Sequence, residues 1–479
     1  MSKTVNLIKL SSFLLGLMAI GISSCNKEPE YVPVSYNSTA IEEFWLEKTV
    51  SNPNLNRPYQ AMVMGDSAIH LLVDYGTDIT AIEPTIIAYA DSIRPTGKQN
   101  FSNPVQYTVW ANGKSVSYTV RISVSTIPFP VIKTIAAGYS HVVAIKNDGT
   151  VWVCGSNFSG QLGLGDYSSR NVLTQVPIYN AEQVYTGDAA TVIKLKDGTT
   201  WATGNQYGQL GFGHRRAIAT FTRHQFLDDA KQIAITFGEM FVLKTDGTVW
   251  GAGRNFGNIL AQPDSDPRAS FVKVPIDNII SITGNGSDIV GQKNNGEIWG
   301  WGNNTGGILG VGDNLPRKTP VQLPIPSINV TKIIAGGSTL FLMDDAGKVW
   351  GSGANASGQL GLGDLTNRYS FTQLSFFDNK SIETIIPHLG ATSYIENNGT
   401  IWNAGSNLYG LMGLGSISST LYTTPVQLPN FVAKMSTGNG NIAYALKADG
   451  TLWAWGSNSA GGLGTGTDIT NSGSPIQIK

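Results

Sequence analysis

Hydrophobic and polar positions in the last three quarters of the chain follow one unit that returns several times. A unit contains a small-residue segment such as "IAAG", an apolar run such as "HVVAIK", and a polar turn with a glycine. A second apolar run with a tryptophan and a glycine-rich loop such as "GSNFSGQLG" complete it. Short apolar runs bounded by turn residues are typical of β-strands. The pattern therefore predicts a chain built from short antiparallel strands.

The tryptophan of the second apolar run sets the period. Seven copies are separated by 49, 49, 49, 51, 52 and 51 residues: Trp152, Trp201, Trp250, Trp299, Trp350, Trp402 and Trp453. Each tryptophan lies three residues after a glycine that usually follows Asp or Asn, which predicts type I′ hairpin turns. One four-stranded sheet cannot bury both of its faces alone, so a period near 50 predicts the blades of a β-propeller.

We therefore expect an all-β chain in which residues 127–479 form a seven-bladed β-propeller. The segments "PFPVIK" at its start and "PIQIK" at its end could share one blade and remove the exposed edge. Residues 38–126 contain a different series of β-rich runs, with Asn112 and Gly113 between two alternating strands. That dipeptide is a strong hairpin signal. A small antiparallel β-sandwich is predicted before the propeller.

The first 25 residues have the layout of a secretory signal. Lys3 and Lys9 precede an apolar run, and the small residues before Cys25 complete the stretch "GISSC". This stretch resembles a bacterial lipobox, which implies a diacylglycerol on Cys25 after cleavage, with residues 26–37 as a tether. The alternative is a chance cysteine after an ordinary signal peptide or a short membrane anchor. The resemblance implies lipid attachment in the cell envelope, at the outer membrane or cell surface of a Gram-negative bacterium.

The amino-acid composition limits the classes of partner that the chain is expected to bind. The chain has 32 Lys and Arg against 33 Asp and Glu, and only 14% of its residues are charged. No basic surface for a nucleic acid is indicated. The five histidines are scattered, no catalytic motif is found, and no cofactor or metal is expected. Cys154 lies in an apolar strand and is expected to be a small buried residue. These observations favour binding over catalysis.

The repeat resembles that of the regulator of chromosome condensation family. Its pattern is nearly intact from Ala136 to Asp166 and from Gly336 to Asp364, whereas the third repeat departs from it with "NILAQPDSDPRAS". The resemblance implies a propeller used as a recognition platform. The founding member is an exchange factor for a small GTPase, but these compact repeats leave no room for its inserted wedge. The sandwich resembles immunoglobulin-like modules of Gram-negative surface lipoproteins through "GTDITAIEP" and "FSNPVQYTVWANGKSVSYTV".

Aromatic residues at matching loop positions are the candidate binding site. Phe158, Tyr207 and Phe256 lie three residues after the loop-opening glycine, and Tyr409 lies one position later in its loop. Loops at equivalent positions open on the same face of a propeller. The candidate site consists of these four aromatics with the polar neighbours Asn157, Gln206, Asn255 and Arg254. Such a rim suits stacking on a sugar or a peptide; alternatively, the aromatics pack loop against loop.

The sequence thus predicts a lipid-anchored, non-catalytic scaffold that binds a protein or a glycan. Two alternatives remain open. One is an extracellular enzyme with a site at the propeller axis, which clustered carboxylates there would support. The other is a regulator of the exchange-factor type, which the family resemblance implies.

Overall fold

The computed structural model describes residues 39–478, apart from 56–57, 65–66, 127–130, 205–206, 285, 434 and 467–468. This part of the chain consists of β-strands and five short 3-10 helices. The predicted signal peptide, Cys25 and the tether lie outside the described residues. Within the described part, no helix has the length and apolar character needed to cross a membrane.

Residues 43–124 form two sheets that pack face to face. The eight strands are β1 (Glu43–Leu46), β2 (Tyr59–Gln60), β3 (Met62–Met64), β4 (Ala68–Val73), β5 (Thr85–Ile87), β6 (Ser92–Arg94), β7 (Val105–Ala111) and β8 (Lys114–Val124). One sheet has the order β2-β1-β5 and the other β3-β4-β8-β7-β6. Only β4 and β8 pair in parallel among the described strands of this unit. Phe44 and Tyr107 meet edge to face between the sheets, with ring centroids 5.9 Å apart.

The predicted hairpin joins β7 and β8. Asn112 and Gly113 both have positive φ, at 51° and 72°, and Ala111 pairs with Lys114. Two successive residues with positive φ define the type I′ turn that matches the twist of the strands. The hairpin prediction is confirmed.

Seven four-stranded antiparallel sheets follow, each built from four consecutive strands. Blade by blade, the strands are β9 (Ile132–Ala137), β10 (His141–Lys146), β11 (Val151–Gly155), β12 (Arg170–Val176); β13 (Ala181–Thr186), β14 (Ala190–Leu195), β15 (Thr200–Gly204), β16 (Ile218–Arg223); β17 (Ala230–Ile235), β18 (Glu239–Lys244), β19 (Val249–Gly253), β20 (Arg268–Lys273); β21 (Ile279–Gly284), β22 (Asp288–Lys293), β23 (Ile298–Gly302), β24 (Arg317–Gln322); β25 (Val330–Gly336), β26 (Thr339–Asp344), β27 (Val349–Gly353), β28 (Arg368–Gln373); β29 (Ile382–His388), β30 (Ala391–Glu396), β31 (Thr400–Ser406), β32 (Leu421–Val432); β33 (Met435–Asn439), β34 (Ile442–Leu446), β35 (Leu452–Ser457) and β36 (Asn471–Gln477). The 3-10 helices are Gln225–Leu227, Phe256–Asn258, Thr305–Gly307, Ser375–Phe377 and Ser459–Gly461. The first strand of each blade contacts the first strands of both neighbours, and β33 contacts β9. The predicted seven-bladed propeller is confirmed.

The turn between the second and third strands differs from its predicted type. In blade one, Gly149 has a φ of 83° and its N–H donates to the carbonyl of Lys146 at 2.9 Å. Asp148 keeps a negative φ and instead accepts hydrogen bonds from the N–H and hydroxyl of Thr150, at 2.9 and 2.7 Å. A type I turn followed by a left-handed glycine fits this longer connection. The type I′ expectation was therefore wrong for these turns.

In five of the seven described blades, a side chain at one position of the third strand contacts the preceding blade, whereas blades three and six have Ala252 and Ala404 there. The indole N–H groups of Trp301 and Trp455 donate to the carbonyls of Ile259 and Leu411, at 2.8 and 2.9 Å. Thr203 and Ser352 make the matching bonds to Gly160 and Ile308. Cys154 holds this position in blade one, and its Sγ lies 3.9 Å from the carbonyl of Gly462 in blade seven. Burial raises the pKa of Cys154 to about 12, as expected for an unreactive packing thiol.

The ring closes by packing and not by a shared blade. β9 belongs to blade one and β36 to blade seven, so the expectation that the two ends share a blade was wrong. Each terminal repeat supplies all four of its own strands. At the seam the N–H of Gly466 donates to the carbonyl of Asn171 at 2.7 Å, as Gly165 does to Ala219 between blades one and two. The seam therefore repeats the ordinary contact between blades.

Because the strands of each blade are antiparallel, the connections between successive strands alternate between the two faces of the propeller. The first turn and the long loop of each blade lie on one face, which we call the loop face. The tight second turn and the linkers between blades lie on the other. The sandwich contacts this second face, where the hydroxyl of Tyr179, in the linker before β13, donates to the carbonyl of Gln60 at 2.7 Å. The loop face therefore points away from that contact.

Candidate functional site

A recurring asparagine holds each long loop of the loop face. Asn157 is fully buried: its Oδ1 accepts the N–H of Leu162 at 2.9 Å, and its Nδ2 donates to the carbonyl of Asp166 at 2.8 Å. Asn255, also fully buried, accepts the N–H of Leu260 at 2.9 Å and donates to the carbonyl of Asp264 at 3.0 Å.

The side-chain amides of Asn157 and Asn255 make their hydrogen bonds within their own loops, so the prediction that they bind a ligand was wrong. The physical reason is that a compact loop must satisfy its buried backbone groups, and the asparagine does so from within. Gln206 of the predicted site lies outside the described residues.

Two of the predicted aromatics are joined by the predicted arginine. The guanidinium carbon of Arg254 lies 5.2 Å from the ring centre of Tyr207 and 4.9 Å from that of Phe256. Arg254 is exposed, as is 59% of Phe256. A cation over an aromatic face is attracted by the electron-rich ring. The long loops of blades two and three thus form one surface.

The first turn of blade three positions this group. A Cβ on Gly238 would lie 3.1 Å from Cδ2 of Tyr207 and 3.2 Å from Cβ of Arg254, so both side chains pack against the turn. The buried carboxylate of Glu239 accepts the N–H of Phe256 at 3.3 Å and the hydroxyl of Thr236 at 2.8 Å. Burial raises the pKa of Glu239 above its ordinary value. Glu239 is therefore a positioning residue for the loop that carries Phe256.

Two further aromatics lie at the axis. Tyr139 and Phe237, in the first turns of blades one and three, have ring centroids 5.4 Å apart. The equivalent turn residues of blades seven and four are glycines. A Cβ on Gly440 would lie 3.1 Å from Cδ2 of Tyr139, and one on Gly286 only 2.1 Å from Cδ2 of Phe237. The two rings therefore lie directly over backbone that carries no side chain.

Sequence reasoning missed Tyr139 and Phe237. The available signal was an aromatic residue at a turn position where other repeats have glycine, as in "GYSH" and "TFGE". We call Tyr139, Tyr207, Phe237, Arg254 and Phe256 together the aromatic face.

The other two predicted aromatics, Phe158 and Tyr409, lie outside the aromatic face. Phe158 is 75% exposed and makes no ring contact among the described residues. Tyr409 is 38% exposed. Burial raises the pKa of Tyr139, and the nearby Asp188 and Tyr409 raise it further. Tyr409 therefore lies on the axial side of the face, whereas Phe158 stands apart. Packing of loop against loop accounts for Tyr207 in part, but not for the exposed Phe158 and Phe256.

The end of the propeller axis opposite the loop face contains a cavity. A cavity of about 520 Å³ opens there, lined among others by Lys133, Glu182, Tyr185 and Lys231. Glu182 is the single carboxylate among its lining residues. Across the described residues, no three His, Cys, Asp or Glu side chains are grouped as metal ligands would be. The clustered carboxylates that an axial hydrolase requires are not found in this cavity.

Comparisons with known families match both domains. Residues 54–122 match the family described as SGBP, N-terminal. Residues 132–161, 295–343 and 449–479 match the regulator of chromosome condensation (RCC1) repeat. Both resemblances drawn from the sequence are thus supported by family models.

Relatives share the propeller. The ultraviolet-B receptor UVR8 of Arabidopsis thaliana is 26% identical over 361 residues, 74% of this chain and 71% of the receptor. The probable E3 ubiquitin-protein ligase HERC4 of Homo sapiens is 27% identical over 150 residues, 31% of this chain but only 14% of the ligase. Prp20p of Saccharomyces cerevisiae has a solved structure with a TM-score of 0.62 at 18% identity, covering 70% of this chain and 87% of that one. The relatives include a receptor and a probable ubiquitin ligase, and the likeness to UVR8 supports a binding or regulatory propeller.

Proposed function

We propose that this chain, whose propeller belongs to the RCC1 repeat family and whose sandwich belongs to the SGBP N-terminal family, is a lipid-anchored cell-envelope protein that binds a glycan without catalysis. The aromatic face carries this proposal. Exposed aromatic rings stack on the apolar faces of sugars, and a few polar groups fix the orientation of the ligand. Tyr139, Tyr207, Phe237 and Phe256 supply the rings, and Asp188 and Arg254 supply the polar groups.

The sandwich supports a glycan over a protein as the ligand, because its family is named for glycan-binding proteins. The placement of the sandwich supports the same proposal. It contacts the face opposite the loop face through Tyr179 and Gln60. A lipid on Cys25, which precedes the sandwich, would hold the second face towards the membrane and leave the aromatic face open to polymers outside the cell.

The exchange-factor alternative finds less support. The likeness to Prp20p at 18% identity concerns the fold alone. The axial-enzyme alternative is weakened by a cavity whose one carboxylate lies among lysines. We therefore favour recognition over both.

The test of glycan binding is affinity electrophoresis of the full chain, purified in detergent, through gels that contain neutral or acidic envelope and extracellular polysaccharides. We expect at least one polysaccharide to retard the protein, and the double variant Tyr207→Ala, Phe256→Ala to lose most of that retardation. Tyr75→Ala is the matched control, because Tyr75 is 56% exposed in the sandwich, away from the aromatic face. Retardation that is equal in the double variant, or no retardation in any gel, would refute the site.

Anchoring is tested separately. Cells expressing the full chain are fed an alkyne analogue of palmitate, and the protein is examined for incorporation. We expect labelled wild-type protein in the membrane fraction and no label in Cys25→Ala. Label on the Cys25→Ala variant, or unlabelled wild type, would refute lipid attachment at this residue.

A further inference from the structure

The guanidinium of Arg254 differs from the other loop arginines of the propeller. Four of those bind the aspartate four residues earlier in the chain, at 2.6 to 2.8 Å: Arg170, Arg268, Arg317 and Arg368. The guanidinium of Arg254 contacts the rings of Tyr207 and Phe256 and makes no side-chain hydrogen bond or ion pair among the described residues, although its charge interacts with Glu239. The side chain is exposed, and its guanidinium lies near two aromatic rings.

Blade two adds two further arginines in the long loop that carries Tyr207. In blades one, four and five the loop sequence Gly-Asp supplies the aspartate of the ion pair, but blade two has His214 in that place, followed by Arg215 and Arg216. All three side chains are exposed. A Cβ on Gly208 would lie 3.4 Å from Cγ of Arg215, so the stem of this arginine packs beside the loop of Tyr207.

The nearby carboxylates offset the charge of these arginines only in part, because Glu239 interacts with Arg254 electrostatically but forms no ion pair with it among the described residues. Glu239 is buried and its oxygens accept hydrogen bonds from Thr236 and Phe256. Asp188 is half-buried in the first turn of blade two. Asp264, in the outer loop of blade three, is already bound to Arg268. The surface around Tyr207 and Phe256 is therefore locally positive although the whole chain has a net charge of −1.

We propose that the aromatic face binds an acidic polysaccharide, in which Tyr207 and Phe256 stack on sugar rings and Arg254 binds a carboxylate or sulfate group. This inference rests on the proposed glycan binding and names the class of glycan. A planar guanidinium matches two oxygens of such an anion, and its contacts with the two rings reduce the entropy lost on binding. A chain without a large basic surface is unsuited to nucleic acid, so the local charge favours a sugar acid.

The experiment compares each acidic polymer with its neutral form. The full chain in detergent is titrated with polygalacturonate and with carboxyl-reduced polygalacturonate, and in a second arm with dextran sulfate and with dextran. We expect at least one acidic polymer to bind about tenfold or more tightly than its neutral form, as a hydrogen-bonded charge pair implies. The arm that shows the difference identifies carboxylate or sulfate as the recognised group.

Variants of Arg254 then test whether this residue causes the tighter binding of the acidic polymer. Arg254→Gln is expected to lower the affinity for the acidic polymer about tenfold or more and to leave neutral binding unchanged, and Arg254→Lys to restore part of it, because lysine keeps the charge but not the planar fork. Arg317→Gln is the matched control, since it removes the same charge from a loop where the arginine is bound to Asp313.

Equal affinity for acidic and neutral polymers, or equal loss in Arg254→Gln and Arg317→Gln, would overturn the acidic class. So would a failure of all four polymers to bind. Glycan binding itself would survive these results if a neutral polysaccharide in the electrophoresis panel were lost by the Tyr207→Ala, Phe256→Ala variant and retained by Arg254→Gln.

Discussion

Replacement of Asn157 by alanine tests whether the buried side chain, and not the exposed surface of the loop, stabilises the loop. The change leaves the buried N–H of Leu162 without its acceptor and removes the donor to the carbonyl of Asp166. A buried polar group without a partner costs about 1–3 kcal/mol. With two groups affected, we expect Asn157→Ala to lower the free energy of unfolding by about 2–4 kcal/mol. Phe158→Ala, one residue away and 75% exposed in the native protein, should change it by less than about 0.5 kcal/mol.

The assay is urea denaturation followed by tryptophan fluorescence, with the midpoint compared at constant slope. Asn355→Ala is the matched variant in blade five, because Asn355 makes the same bonds to Leu360 and Asp364, at 2.9 Å each, but is followed by alanine. Both asparagine variants should lose similar stability. An Asn157→Ala protein that unfolds at the wild-type urea concentration would show that the buried network does not hold the loop.

Three further predictions concern the turns and the buried ionisable groups. Gly286→Ala would place a Cβ 2.1 Å from the ring of Phe237, so we expect it to displace that ring and to weaken binding of any retarding polysaccharide about as much as Phe237→Ala does, in the same electrophoresis. Burial raises the pKa of Glu239 above its ordinary value, so the protonated form stabilises the fold at low pH and this contribution is lost as the pH rises through the raised pKa. The variant Glu239→Gln should therefore raise the urea midpoint relative to wild type more at pH 8 than at pH 4.5. A difference in midpoint that is the same at both pH values would contradict this. Burial lowers the pKa of His141 and of His388 to about 4, so the unfolded chain binds protons that the folded chain does not between pH 6.5 and 4. Stability should fall by on the order of 3 kcal/mol for each histidine as the pH falls through that window, and a His141→Asn variant should show a shallower fall in urea midpoints.

The repeated features could be predicted from the sequence because they are local. The spacing of Trp152 and its equivalents requires only that each repeat form the same short strands, and Asn112 with Gly113 specifies a turn within four residues. The tight turns after the second strands were assigned to the wrong type because Asp-Gly is compatible with both. Only the backbone angles distinguish a left-handed glycine after a type I turn from two left-handed residues.

The grouping of the aromatic face could be predicted only in part, because its residues meet through tertiary structure. Tyr207, Arg254 and Phe256 were found from equivalent loop positions on adjacent blades. Tyr139 and Phe237 belong to blades one and three, which are not sequence neighbours, and their contact depends on how the first turns converge at the axis. Asn157 and Asn255 were misassigned because an exposed loop rich in amides resembles a binding site. Their recurrence as Asn304, Asn355, Asn407 and Asn458 points instead to a structural role.

On the loop face, residues that recur from blade to blade therefore indicate a structural role, whereas residues that differ between blades indicate a candidate binding role. Groups that recur in most blades, such as the buried asparagine and the Asp-Arg ion pair, satisfy backbone and charge within each loop and leave nothing for a ligand. The positions that vary carry the exposed rings and the unpaired guanidinium. The first turns have Tyr139, Asp188 and Phe237 in blades one to three and Leu389 in blade six, but glycine in blades four, five and seven. Because four of the five residues of the aromatic face belong to blades two and three, we expect a bound polymer to run from the axis outward over these blades, where Arg254 and Arg215 lie, and not around the whole ring.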